Sequence, residues 1–79
     1  MSGREMLEKL GFEIIDNSND QAIFISDYYG AKRKIVVLKY QKLIYNELIQ
    51  NGNVVGAFPL TPEILEAINQ YCKEMKWFD

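Results

Sequence analysis

The sequence predicts a single α+β domain over residues 1–79: a short N-terminal helix, an antiparallel meander of about four to five strands, and a C-terminal amphipathic helix packed on one sheet face. Three observations carry that expectation. The chain opens on a serine-capped run with apolar residues at helical spacing. Its middle is a series of short β-branched and aromatic runs separated by turn formers. It closes on an apolar stripe that recurs every three or four positions.

Ser2-Gly3-Arg4-Glu5 fits the S-x-x-E capping box, in which a serine hydroxyl and a glutamate carboxylate satisfy each other's orphan backbone donors. Met6, Leu7 and Leu10 share a face, and Gly11 suits the left-handed position that ends a helix, which places the helix at 3–10. Phe12–Asp16 fits a strand, and Asn17-Ser18-Asn19-Asp20 a turn. Gln21–Asp27 is the next strand, centred on Ile23-Phe24-Ile25, with a turn at Tyr28-Tyr29-Gly30-Ala31. Arg33–Tyr40 holds the apolar run Ile35-Val36-Val37-Leu38, bounded by charge, which suits a strand better than a helix. Residues 43–49 fit either element by periodicity. The Asn51-Gly52 pair that follows is a strong hairpin signal and favours strand both there and at 54–58. Thr61 as cap, Pro62 at the first helical position and Glu63 at the positive end start a helix at 62–76. Ile64, Leu65, Ile68, Tyr71, Cys72 and Met75 share one of its faces; Glu66, Asn69, Gln70, Lys73 and Lys76 take the other.

A hydrophobic content of 48% with 13% aromatic residues is ample for a core. There is no histidine, and Cys72 is the single cysteine, so neither the common zinc sites nor an intrachain disulfide is available. The same absences remove the Ser-His-Asp and Cys-His nucleophile arrangements. Cys72, on the apolar face of the last helix, is expected to be a buried, inert thiol. Asp16, Asp20 and Asp27 are the carboxylates that could pair for acid–base chemistry, but turn service accounts for them. Neither EF-hand spacing nor a glycine-rich phosphate loop is present. The expectation is therefore a non-enzymatic protein without cofactor or metal. The lone thiol, the lack of a membrane-length apolar run and the lack of a basic-then-apolar leader in Met1–Glu5 are those expected of a cytoplasmic protein with no membrane contact.

The net charge of −2 is unevenly distributed. Residues 1–20 carry −3, residues 21–42 carry +4 and residues 43–79 carry −3. The positive block holds Lys32-Arg33-Lys34, Lys39 and Lys42 beside Tyr28, Tyr29 and Tyr40. Tyrosine and arginine are favoured anchors of protein interfaces, which makes Tyr28, Tyr29, Lys32, Arg33, Lys34 and Tyr40 candidate partner-binding residues. Basic groups interleaved with aromatics also grip phosphates and stack bases, so nucleic-acid or nucleotide binding through the hairpin 32–42 is the alternative. A third account gives the lysines no role beyond discouraging edge-to-edge aggregation.

The central strands carry apolar residues on both faces: Ile35 and Val37 on one parity, Val36, Leu38 and Tyr40 on the other. A half-exposed antiparallel sheet alternates more cleanly. The second face is therefore expected to meet a partner or a copy of itself, with homo-oligomerisation through the uncovered sheet face or an edge strand. Trp77 and Phe78 are expected to close the core under the last helix or to anchor a partner.

Leu10-Gly11-Phe12 near the start, with Thr61, Leu65, Ala67, Ile68, Asn69, Lys73 and Trp77 near the end, resembles small phage and prophage accessory proteins of Gram-positive bacteria. Those proteins often begin with a short helix ending Leu-Gly-Tyr/Phe and end with a Thr-capped helix. The resemblance covers the two ends of the chain and touches the middle only in its lysine- and tyrosine-rich style. It implies an accessory protein that binds and blocks a host protein, bacterial defence factors included, in the host cytoplasm. No catalytic or binding residue is carried over from it.

Overall fold

The structure is a computed structural model that describes residues 1–77, so the docking expected of Phe78 lies outside the described residues. Its element order is α1 (Gly3–Lys9), β1 (Glu13–Asn17), β2 (Gln21–Tyr28), β3 (Ala31–Leu38), β4 (Leu43–Gln50), β5 (Asn53–Gly56) and α2 (Pro62–Glu74). This is the expected α+β order, with residues 43–50 a strand. The chain forms two compact units: Phe12–Phe58 is one, and residues 1–11 with the stretch from Pro59 on are the other. No helix among the described residues is long and apolar enough to cross a membrane.

In the helical unit both caps form as the residues dictate. Glu5 N–H donates to Ser2 Oγ at 3.1 Å and Ser2 N–H donates to Glu5 Oε1 at 2.8 Å, completing the capping box. Thr61 Oγ1 accepts from Ile64 N–H at 3.2 Å at the start of α2. Gly11, with φ of 96°, holds the left-handed position after α1. At the end of α2 the same position is taken by Lys76, with φ of 61°. Trp77 N–H bonds the Cys72 carbonyl at 3.1 Å and Lys76 N–H bonds that of Lys73 at 3.0 Å, the two bonds of a Schellman motif.

α1 and α2 pack against each other through a close approach at Gly3. A Cβ there would lie 2.6 Å from Tyr71 Cα. The Gly3 N–H also donates to both Glu74 carboxylate oxygens, at 3.1 and 3.2 Å, so a side chain of α2 satisfies an orphan donor of α1. Leu7, Ile64, Ala67 and Cys72 are buried. Leu65 differs from expectation: it is 50% exposed. The buried stripe runs through Ile64, Ala67 and Cys72, and Leu65, a 100° step round from Ile64, falls off its margin.

The other unit is a five-stranded antiparallel meander in the order β1-β2-β3-β4-β5. Two of its hairpins close in two residues with both in the left-handed region, Tyr29-Gly30 (φ 48° and 81°) and Asn51-Gly52 (φ 53° and 78°). These are the tight turns whose twist matches the strands. The first is shorter than the expected four residues, so β2 runs on to Tyr28 and β3 begins at Ala31 and ends at Leu38. One face, hereafter the inner face, carries the buried cross-strand pairs Ala22–Val37 and Phe24–Ile35. Phe12 and Phe58 are also buried, with ring centroids 6.2 Å apart. Both sheet edges are blunted: β1 is interrupted by an irregularity between Ile14 and Asp16, and β5 is four residues long.

Gly3→Ala gains about 1 kcal/mol of helix propensity. It also drives a methyl into the Tyr71 backbone, an overpacking that costs about 1–3 kcal/mol. The expected outcome is a net loss, read as a lower urea midpoint with an unchanged slope. A second outcome concerns acid. The Ser2 backbone N–H, helped by its hydroxyl, holds the Glu5 carboxyl below its ordinary value. A depressed folded-state value stabilises the fold above the unfolded-state pKa, and the gain is lost as pH falls through the folded value. Glu5→Gln should therefore flatten the acid limb of stability against pH, and carbon NMR of Glu5 should titrate below free glutamate.

Candidate functional site

The β2–β3 turn brings together three of the six candidate residues, Tyr28, Tyr29 and Arg33. Tyr28 pairs with Ala31 across the hairpin, which leaves Tyr29 and Gly30 as the two loop residues. Left-handed backbone is costly for a residue with a Cβ, about 1–2 kcal/mol, and tight hairpins favour Asn, Asp or Gly at this position. Tyr29 occupies it with φ of 48° and a side chain that is 94% exposed. Its ring meets that of Tyr28 edge-on, with centroids 4.8 Å apart and planes at 74°.

Tyr28 continues this contact inward to Arg33. The Arg33 guanidinium carbon lies 4.9 Å from the Tyr28 ring centroid, 4.8 Å from that of Phe12 and 5.8 Å from that of Phe58. Its Nε donates to Ser26 Oγ at 2.9 Å. Ser26 is the buried polar residue of the sheet and stands directly opposite Arg33 in the β2–β3 register. Partial burial of a guanidinium without a carboxylate is expensive unless other groups replace its water. Here three π faces and one hydroxyl do so, each cation–π contact being worth about 0.5–2 kcal/mol.

The remaining candidates lie elsewhere. Strand alternation puts Lys32 and Lys34 on the outer face, opposite to Arg33. Lys32 Nζ is 2.7 Å from Asp27 Oδ1, an exposed pair in which the Lys32 hydrogen bond holds the Asp27 carboxyl below its ordinary value. Lys34 stands opposite Glu47 across β3–β4. Tyr40 is exposed in the turn at the far end of β3, about 27 Å from Tyr29 along an eight-residue strand at about 3.4 Å per residue. Lys39 bonds the Asn17 side chain at 2.9 Å and the Ser18 carbonyl at 2.6 Å. The positive block is thus divided between two faces and two ends of the sheet.

The outer face is the second feature. Ile23, Val36 and Tyr45 line up across β2, β3 and β4, with Leu38 beside Leu43 in the adjoining row. Tyr45 is 49% exposed and Leu43 is also exposed. Beyond Ile25, Lys34 and Glu47 follow, so the apolar band ends in charges of both signs.

In the helical unit a shallow, open depression is lined by Leu65, Glu66, Ile68, Asn69 and Cys72. Burial pushes the Cys72 thiol up, away from the thiolate needed for reactivity. Among the described residues, no three of His, Cys, Asp and Glu gather closely enough to hold a metal ion. Asp16 accepts from the Gln21 side chain at 2.7 Å, and the Asp20 N–H bonds Ser18 Oγ, so these two serve the β1–β2 turn.

Sequence reasoning missed Ser26, Phe12 and Phe58 as parts of this site. Ser26 could have been found from a two-residue turn at Tyr29-Gly30, which puts it opposite Arg33. Phe58, expected to end the strand at 54–58, instead lies beyond β5, which stops at Gly56; its carbonyl accepts from Asn46 Nδ2 at 3.0 Å. No protein-family model, no curated protein and no solved structure matches the chain.

Proposed function

We propose that this is a non-enzymatic accessory protein that acts by binding another protein through the β2–β3 tip, with Tyr29, Tyr28 and Arg33 as the contact residues. The observation that carries the reading is Tyr29 itself. It is a large apolar side chain, 94% exposed, held at a backbone conformation that favours other residues. Strain retained at an exposed aromatic points to a role outside folding. Tyrosine and arginine together supply interface anchors, and an anchor already fixed by its neighbours loses little entropy on binding. The resemblance at the chain ends directs the choice of partner to a bacterial host protein, with a defence factor that the protein inhibits as the specific form. Nucleic-acid binding is supported less, because a phosphate backbone is gripped by several cations together and these are dispersed over two faces and two ends.

The outer face supports a second contact, between copies of the chain. Its apolar band spans three strands and ends in Lys34 beside Glu47, a rim of both signs that a two-fold-related copy can complement. Blunted edges make face-to-face packing the better route than strand addition.

Two outcomes test these readings. Tyr29→Asn should stay within about 1 kcal/mol of parental stability, because relief of left-handed strain offsets loss of the edge contact with Tyr28. The same substitution should abolish capture of a host protein that the parent enriches and that Lys73→Glu, on α2, still enriches. A bait whose captured set is indifferent to Tyr29 rejects the tip. For the outer face, sedimentation equilibrium should show concentration-dependent dimers that Val36→Lys or Tyr45→Lys converts to monomers. A parent that stays monomeric throughout rejects self-association.

A further inference from the structure

The Arg33 side chain is half used. Its Nε is committed to Ser26 Oγ at 2.9 Å, and its plane is held by Phe12, Tyr28 and Phe58. Neither Nη has a hydrogen-bond or ion-pair partner among the described residues. No described side-chain nitrogen or oxygen is both buried and unpaired, so the two Nη groups reach solvent. Arg33 therefore keeps the end of its fork in reach of solvent while its flank and stem are held. The other arginine, Arg4, is an exposed helix residue set 3.9 Å from Glu8 in an ordinary i,i+4 pair.

We infer that Arg33 is a preassembled acceptor for a carboxylate of the protein partner, which binds end-on across its two Nη groups. This deepens the proposed binding reading and rests on it. The Ser26 hydrogen bond blocks the side-on approach through Nε, and the end-on pair remains free for two parallel N–H···O bonds. A planar carboxylate matches that pair. The site carries a single cation, since Lys32 and Lys34 lie on the other face and Lys32 is paired with Asp27. One guanidinium ringed by aromatics suits one acidic side chain in an apolar protein surface better than a run of phosphates, which needs several cations. The exposed Tyr29, joined to Arg33 through Tyr28, supplies the apolar contact that would exclude water from the pair.

The probe is acetate, titrated into the full-length 15N-labelled chain against sodium chloride of equal ionic strength, with inorganic phosphate as a parallel arm. The expected result is a saturable shift of the Arg33 Nε–Hε resonance with acetate, several-fold larger than that of Arg4 and absent with chloride. Tyr28→Leu, which removes one wall but leaves Phe12 and Phe58, should shrink the Arg33 response. Arg33→Lys keeps the charge but not the fork, and should lower capture of any Tyr29-dependent partner at least about tenfold, since a bidentate site does not accept lysine as a substitute. An Arg33 response no larger than that of Arg4 overturns the acceptor. A response to phosphate that exceeds the one to acetate overturns the carboxylate assignment and favours a nucleic acid. If Arg33 is silent while Tyr29-dependent capture persists, the acceptor alone fails. If acetate binds while no capture depends on Tyr29, the partner-binding reading fails and the anion site stands.

Discussion

The pairing of Tyr28 with Ala31 is the constraint on which the sheet's chemistry depends. A two-residue loop at Tyr29-Gly30 sets the β2–β3 register. Because side chains alternate with a period of two, a slip of one residue would exchange the two faces. In the observed register Ala22, Phe24, Ile35 and Val37 fall together on the inner face. The same register delivers Arg33 opposite Ser26, among Phe12, Tyr28 and Phe58, and sends Lys32 and Lys34 outward. One turn therefore decides which cation of the run Lys32-Arg33-Lys34 is held on the inner face and which two go to the outer.

That the held residue is the arginine follows from side-chain physics. A guanidinium is planar and weakly hydrated, so three rings can cover it while Ser26 takes its Nε. A lysine ammonium in the same place would lose more hydration and could not offer one edge inward and another outward. The outer positions suit lysine, where a long stem lies along the apolar surface and the charge stays wet, as Lys32 does beside Asp27.

Much of this fold is legible in the sequence, for reasons that are local. Ser2 with Glu5, Gly11, Thr61 with Pro62, and Asn51-Gly52 each act over four residues or fewer, and all took the expected form. The departures have non-local causes. The turn at 28–31 and the helix end at 76 were expected, but Tyr29 and Lys76 sit in left-handed positions that propensity assigns to glycine or asparagine, so the two-residue loop at Tyr29-Gly30 was not. Gly3 looked like filler inside a capping box, yet it is where α1 meets the Tyr71 backbone, sixty-eight positions on in the chain. The positive charge was visible as a block; alternation along β3 divides it, with Arg33 on one face and Lys32 and Lys34 on the other. Only Tyr28, Tyr29 and Arg33 of the six candidate residues end in mutual contact, and their link runs through Tyr28.

Tyr28 thus has two roles that pull on the same ring. Its edge-on contact with Tyr29 steadies a strained, exposed side chain, and its face steadies a guanidinium. The tip and the cation are thus joined by one continuous run of contacts, from Tyr29 through Tyr28 to Arg33. On the proposed reading, a partner that covered Tyr29 would meet an arginine already held by three rings and Ser26. Side chains held in this way would have less entropy left to lose on binding. That reading would give a poor turn former at the tip a use. Asparagine would relieve the backbone at Tyr29, but it would leave Tyr28 with one neighbour fewer and remove the almost fully exposed ring of the tip.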